Sequence, residues 1–165
     1  MTSDKKVYFN AREALTDPRG PTVTYFHEFG HLIDFVSVTG RDKYKSTLKK
    51  SAGFGKALRA DFDKLVNDLI SQGLTRQQAY SQLSTVANDA LYNQISDLFG
   101  GLSQNAARGR YGHNTAYWMR TGALEKEAWA HMFESQFDAD RYALMQKYFP
   151  TALQEFETLL EEVAE

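Results

Sequence analysis

The chain has 165 residues, enough for one compact domain with a core of its own and too few for two. Apolar side chains make up 42% and aromatics 13%, with eleven Phe and nine Tyr, which excludes a disordered chain and predicts an aromatic-rich core. Nineteen basic against twenty-one acidic side chains leave a net charge of −2, so no global field draws the chain to nucleic acid or an anionic membrane, and the absence of cysteine excludes disulfides and thiolate metal ligands.

The N-terminus, Met1 to Lys6, is polar and precedes no long apolar run. Neither a signal peptide nor a membrane span is expected, which suits a cytoplasmic protein or a domain delivered within a larger one. Lys6 to Asn10 alternate in polarity around Val7, Tyr8 and Phe9 and predict one short strand. Thr16 to Pro21 is turn chemistry, and Pro21 suits the first turn of a helix running to about Val38 and stopped by Gly40. Tyr25, Phe26, Phe29, Ile33, Phe35 and Val36 cover most of that helix's circumference, which predicts a buried helix with Thr24, His27, His31 and Asp34 along the remaining stripe.

Arg41 to Lys56 is rich in lysine and small residues and reads as an exposed basic connection. Leu58, Phe62, Leu65, Val66, Leu69 and Ile70 keep the helical period from Ala57 to Ser71, and Gly73 supplies the stop. Thr75 and Gln78 form a capping-box pattern that opens a second long helix, through Leu83 and Ile95 to Gly100-Gly101, packed on the first as a hairpin. The stretch from Gly100 to Gly122 is a loop unusually rich in aromatics. Further helices are predicted from Leu124 to about Phe137, from Asp140 to Tyr148 before Pro150, and from Thr151 onward, where Thr151 and Gln154 repeat the capping pattern.

Two of the four histidines stand four residues apart in His27-Glu28-Phe29-Gly30-His31. On a helix such positions share one face, about 6 Å apart along the axis, so both imidazoles can converge on one metal ion. The glutamate after the first histidine borders the same ion and can take a proton from a water bound there, the division of labour in the H-E-x-x-H pattern of zinc hydrolases. Such a site needs a third protein ligand and one open position. The metzincin extension is excluded, because Asp34 stands where its glycine would be and Ser37 where its histidine would be. The remaining candidates lie in Leu124 to Glu134, which carries Glu125, Glu127, His131 and Glu134; a glutamate ligand there makes a gluzincin-type site.

The pair His27 to Asp34 (HEFGHLID) and Glu127 to Phe133 (EAWAHMF) resembles the anthrax-lethal-factor-type gluzincin peptidases, whose relatives include bacterial toxins and phage head-associated proteins. In that family an E-x-x-A-x-x-F helix carries the third zinc ligand, so the resemblance puts this role on Glu127. The family often has a second glutamate where this chain has His131, and His131 is expected to orient Glu127 or a ligand histidine without binding metal itself. Asp34, one turn beyond His31, is expected to accept the spare N–H of a ligand imidazole and fix its tautomer.

The expected fold is therefore mainly α with minimal β: one zincin-like domain over residues 1–165, with the H-E-x-x-H helix, an inserted helical hairpin and a second ligand-bearing helix. The expected activity is Zn²⁺-dependent hydrolysis of a peptide or protein substrate with Glu28 as general base, and with His113, Tyr111 or Tyr117 from the aromatic loop stabilising the oxyanion. The alternative of another class is an inactive zincin-like structural module of a phage or toxin protein. A third, a regulator of that fold, requires a specific protein partner.

Overall fold

The computed structural model describes residues 10–38 and 43–164. Every regular element among them is helical: α1 (Ala11–Leu15), α2 (Val23–Val36), α3 (Ala52–Ser71), α4 (Arg76–Val86), α5 (Asn93–Ser103), α6 (Thr115–Trp118), α7 (Ala123–Ser135), α8 (Ala139–Tyr148) and α9 (Pro150–Ala164), with 3₁₀ turns at Lys45–Thr47, Lys49–Ser51 and Ala90–Tyr92. The mainly helical class holds, and there is no strand among the described residues. None of these helices is long and apolar enough to cross a membrane. The expected strand over Lys6 to Asn10 lies outside the described residues except for Asn10, whose side chain accepts from the Glu13 N–H and caps α1. Gly40 also lies outside them.

Helix α7 is the centre of the packing, lying against α2 on one side and against α5 and α8 on others, while α3 pairs with α9. Phe54, Leu58 and Phe62 of α3, Phe99 of α5, Trp129 and Met132 of α7 and Phe156 of α9 close the core. Phe99 meets Phe62, Tyr148 and Phe149 with ring centroids at 5.5, 5.7 and 6.0 Å, and Trp129 stands edge-on to Phe156 at 5.0 Å. Each such side chain withdrawn from water contributes about 1.5 to 3 kcal/mol, so this aromatic cluster anchors the scaffold on which α7 is held.

Several expectations are corrected. The second long helix is two: α4 ends at Val86 because the Ala87 carbonyl is covered by Gly109, where a Cβ would stand 2.1 Å from it, and Asp89 starts a new turn by accepting from the Leu91 N–H at 2.9 Å. Gly100-Gly101 does not stop α5. The chain runs on to Ser103 and turns at left-handed Gln104, leaving Gly101 as the place where Trp118 and Leu124 approach the backbone.

The stretch before α3 is not a plain solvated connection. Lys45 is buried with its Nζ 2.7 Å from Glu162, Ser46 and Ser51 are buried too, and α3 begins at Ala52, earlier than its apolar period suggested. Finally, α2 is only half-buried, with Val23, Gly30 and Asp34 as its buried residues, and α9 is not capped by Thr151. Its first free N–H groups, at Thr151 and Ala152, both donate to Asp61 Oδ2 of α3 at 2.9 Å. The Thr75–Gln78 capping box at the start of α4 is formed as expected.

Candidate metal centre

The site lies between α2 and α7, which meet at Gly30 and Ala130. His27 and His31 project from one helix; Glu127, His131 and Glu134, at positions i, i+4 and i+7, form a stripe on the other. Glu127 is 2% exposed, and its carboxylate spans the two histidines: Oε2 lies 3.2 Å from His27 Nε2 and Oε1 lies 3.4 Å from His31 Nε2. Oε1 also accepts a short hydrogen bond from the Tyr117 hydroxyl. Two buried atoms of this cluster, Glu127 Oε2 and His27 Nδ1, have no hydrogen-bond partner.

These distances suit a metal. Ligands about 2.0 to 2.2 Å from a tetrahedral ion are separated by roughly 3.3 Å along each edge of the tetrahedron. The His27–Glu127 and His31–Glu127 separations have that length, but they run to different oxygens of the carboxylate. Donor atoms of His27, Glu127 and His131 lie within 4.8 Å of one another, as do those of Asp97, His113 and Glu127, so Glu127 is common to both groups. His31 reaches Glu127 but belongs to neither group of three, which leaves His31 and His131 as rivals for the remaining ligand position.

Hydrogen bonding separates the rivals. Both ring nitrogens of His131 face carboxylates, Nε2 at 3.2 Å from Asp97 Oδ2 and Nδ1 at 3.4 Å from Glu134 Oε2. Both nitrogens of His131 are thus engaged by hydrogen bonds, whereas His27 Nδ1, though near Glu134, makes none. His31 Nε2 points at Glu127 instead. Burial lowers the His131 pKa, but these carboxylates raise it above its ordinary value.

The other charges follow the same logic. Burial works against the ionised form of Glu127, yet His27 and His31 hold its carboxyl far below the usual range. Burial would also neutralise His27, but Glu127 and Glu134 reverse that and push its pKa up to about 10. For His31 burial prevails and the pKa falls. Burial and the adjacent Glu127 charge raise the Tyr117 hydroxyl, so it keeps its proton and donates.

Asp34 does not serve a ligand imidazole. Its two oxygens accept from the backbone N–H and the hydroxyl of Ser46, each at 2.7 Å, and so tie α2 to the first 3₁₀ turn. The carboxylate nearest the spare nitrogen of His27 is that of Glu134, at 3.5 Å and outside hydrogen-bonding geometry. Glu125 is turned away to Arg59, at 3.0 Å.

A cleft of about 320 Å³ opens beside His27 and is lined by Glu28, Tyr111, His113, Asp97, Asn93 and Arg19 among others. His113 stacks on Tyr117 with centroids 3.9 Å apart, and Asp97 holds it through its backbone N–H at 2.7 Å and through Nδ1 at 3.1 Å. Asp97 is buried, which would raise its pKa, but His113 and His131 bring it down to about 2. The Tyr111 carbonyl accepts from Ser96.

Asp97 and Arg141 escaped the sequence reading. Arg141 is almost wholly buried and binds Glu134 at 2.9 Å, together with Asn93, Gln94 and the Arg19 carbonyl. Asp97 lies inside α5 with no motif around it. Glu134 had a signal in the i, i+7 spacing from Glu127.

Compared with protein-family models, curated proteins and solved structures, the chain matches none.

Proposed function

We propose that the chain is a zinc-dependent peptidase of the gluzincin type, with His27, His31 and Glu127 as metal ligands. The observation that carries this reading is the Glu127 carboxylate, buried between the two motif imidazoles with one oxygen 3.2 Å from His27 Nε2 and the other 3.4 Å from His31 Nε2. The chemistry that zinc supplies in such a donor set is Lewis acidity, which lowers the pKa of water toward about 7 and polarises a carbonyl.

The remaining steps belong to the chain's own residues. Glu28 lines the cleft beside His27. It takes one proton as the water oxygen attacks the scissile carbonyl carbon and returns it to the amine nitrogen as the C–N bond breaks; the second water proton passes from the new carboxyl group to the amine, giving a carboxylate and an ammonium. His113 is the oxyanion donor of the three aromatic-loop candidates. It lines the same cleft, Asp97 fixes its orientation and raises its pKa, and the Tyr117 donor is already spent on Glu127. Glu134 and His131 brace the ligands from below, and Arg141 holds Glu134 in place.

A second reading, a zincin-like structural module without turnover, is favoured by one feature. Glu127 and Glu134 push the His27 pKa up to about 10, so these carboxylates have a cationic partner without a metal. The test is zinc stoichiometry of the purified chain, combined with cleavage of a proteome-derived peptide library read by mass spectrometry. One zinc per chain and cleavage lost in Glu28→Gln support the peptidase; a protein that binds no zinc and cuts nothing supports the module.

A further inference from the structure

His31 and Glu127 also border a second cleft of about 350 Å³, lined with Tyr44, Tyr117, Arg120, Ala123 and Lys126. It shares no lining residue with the cleft of Glu28 and His113, and it meets the donor set through His31 and Glu127 where that cleft meets it through His27. Its wall carries two cations, each resting on an aromatic ring. Lys126 Nζ lies 4.2 Å from the Tyr44 ring centroid, and the Arg120 guanidinium lies 5.1 Å from that of Tyr117.

Neither cation is in an ion pair with a described residue. A contact with a ring face holds a cationic head in position without using its N–H donors, which remain available to a carboxylate. Ala123 opens α7 on the same wall, and the preceding Gly122 has no side chain to cap that helix, so the positive end of the helix dipole adds to the field. Of the carboxylates around it, Asp34 feels the Lys126 charge but accepts from Ser46 with both oxygens, Glu127 faces the motif histidines, and Glu125 in the first turn of α7 is paired with Arg59. Two ring-anchored cations on the wall of a cavity next to the donor set suit an anion carried by whatever occupies the site.

We propose that this cleft binds a carboxylate of the substrate beside the scissile bond, either an Asp or Glu side chain or the C-terminal carboxylate, with Arg120 and Lys126 as the specificity-determining residues. That the bound peptide is also cut rests on the peptidase reading above; that an acid is bound there does not.

The two are separated by measuring binding and cleavage independently. Binding is measured by calorimetry on the zinc-loaded Glu28→Gln chain with three probes: acetyl-Ala-Ala-Glu-Ala-amide, its Gln counterpart, and the Gln peptide with a free C-terminus. One acid-bearing probe should bind on the order of tenfold more tightly than the neutral one, the size expected of a charge-assisted contact with a guanidinium or ammonium. That preference should vanish in the Arg120→Gln, Lys126→Gln double variant. The identity of the preferred probe tells a side-chain acid from a C-terminal one. Equal binding of all three probes, or a preference that survives the double substitution, overturns the assignment. An acid preference in binding with no cleavage by the unsubstituted chain discards the peptidase reading and keeps the cleft; cleavage of peptides without any acid preference does the reverse.

Discussion

Gly30 of α2 rests directly on Ala130 of α7: a Cβ at Gly30 would stand 2.9 Å from the Ala130 Cα and 3.0 Å from the Phe133 Cβ. No real side chain keeps such a contact with backbone, so this pair sets how closely the two helices approach. His27 and His31 flank Gly30 on one helix, and Glu127, His131 and Glu134 flank Ala130 on the other. The separation of donor atoms across the site therefore follows from the absence of a side chain at Gly30.

Gly30→Ala should push the helices apart and loosen the donor set. The better helix propensity of Ala returns about 1 kcal/mol, while overpacking costs about 1 to 3 kcal/mol, so a net loss on the order of 1 kcal/mol is expected. Zinc affinity should fall more steeply than stability does, because metal binding depends on ligand placement to a few tenths of an ångström. A urea midpoint and a zinc titration on the same protein measure both. Unchanged zinc affinity would mean that the helices have slack at this contact.

Ligand assignment makes a prediction about substitutions in the two rivals. His31→Ala and Glu127→Gln should abolish stoichiometric zinc, whereas His131→Gln should retain it, since both nitrogens of His131 are occupied by Asp97 and Glu134. Glu134→Gln should weaken zinc about 10- to 100-fold, the usual cost of removing a group that braces a ligand. The measurement is chelator competition with metal analysis of each variant. If His131→Gln loses zinc and His31→Ala keeps it, the third ligand is His131.

Glu28→Gln separates binding from chemistry. The amide cannot take a proton, so the rate should drop about 10²- to 10⁴-fold, the range that a positioned general base supplies. Zinc content should stay at the level of the unsubstituted chain, because Glu28 borders the cleft and is not in the donor set. A variant that still turns over at full rate removes Glu28 from the mechanism.

What could be read from the sequence divides along local and long-range lines. His27 and His31 were legible because the i, i+4 spacing is a property of any helix, and α2 is one. Glu127 was found through the E-x-x-A-x-x-F pattern, in which Ala130 and Phe133 turn out to be the residues against Gly30. Asp97 and Arg141 were invisible because their roles depend on α5 and α8 reaching α7, and nothing near them in the chain encodes that. Asp34 was misread for the same reason: its spacing from His31 suggested one partner, and the chain brought back Ser46, twelve residues on, as another. The break between α4 and α5 depends on Gly109 covering the Ala87 carbonyl, a contact across more than twenty residues that periodicity cannot register.

Asp34 carries the clearest pH prediction. Burial pushes its pKa up to about 6 against the opposing pull of the Ser46 donors and the Lys126 charge. The folded chain therefore holds this proton more tightly than the unfolded chain, whose ordinary value is 3.8. The sign follows: stability from this group is greatest below about pH 4, is lost as pH rises to about 6, and is constant above that. A shift of this size corresponds to about 3 kcal/mol. Asp34→Asn removes the titration while keeping both contacts, since its carbonyl can accept the Ser46 N–H and its amide can donate to the Ser46 hydroxyl. Measured in chelator so that metal binding does not enter, the variant should gain on the unsubstituted protein by up to about 3 kcal/mol between pH 4 and pH 7.5. Asp97 and Glu134, whose pKa values lie near 2, titrate alike in both proteins and cancel in the difference. A difference that stays flat across that window would show that Asp34 is not ionised at a cost, and that Ser46 and Lys126 compensate its burial in full.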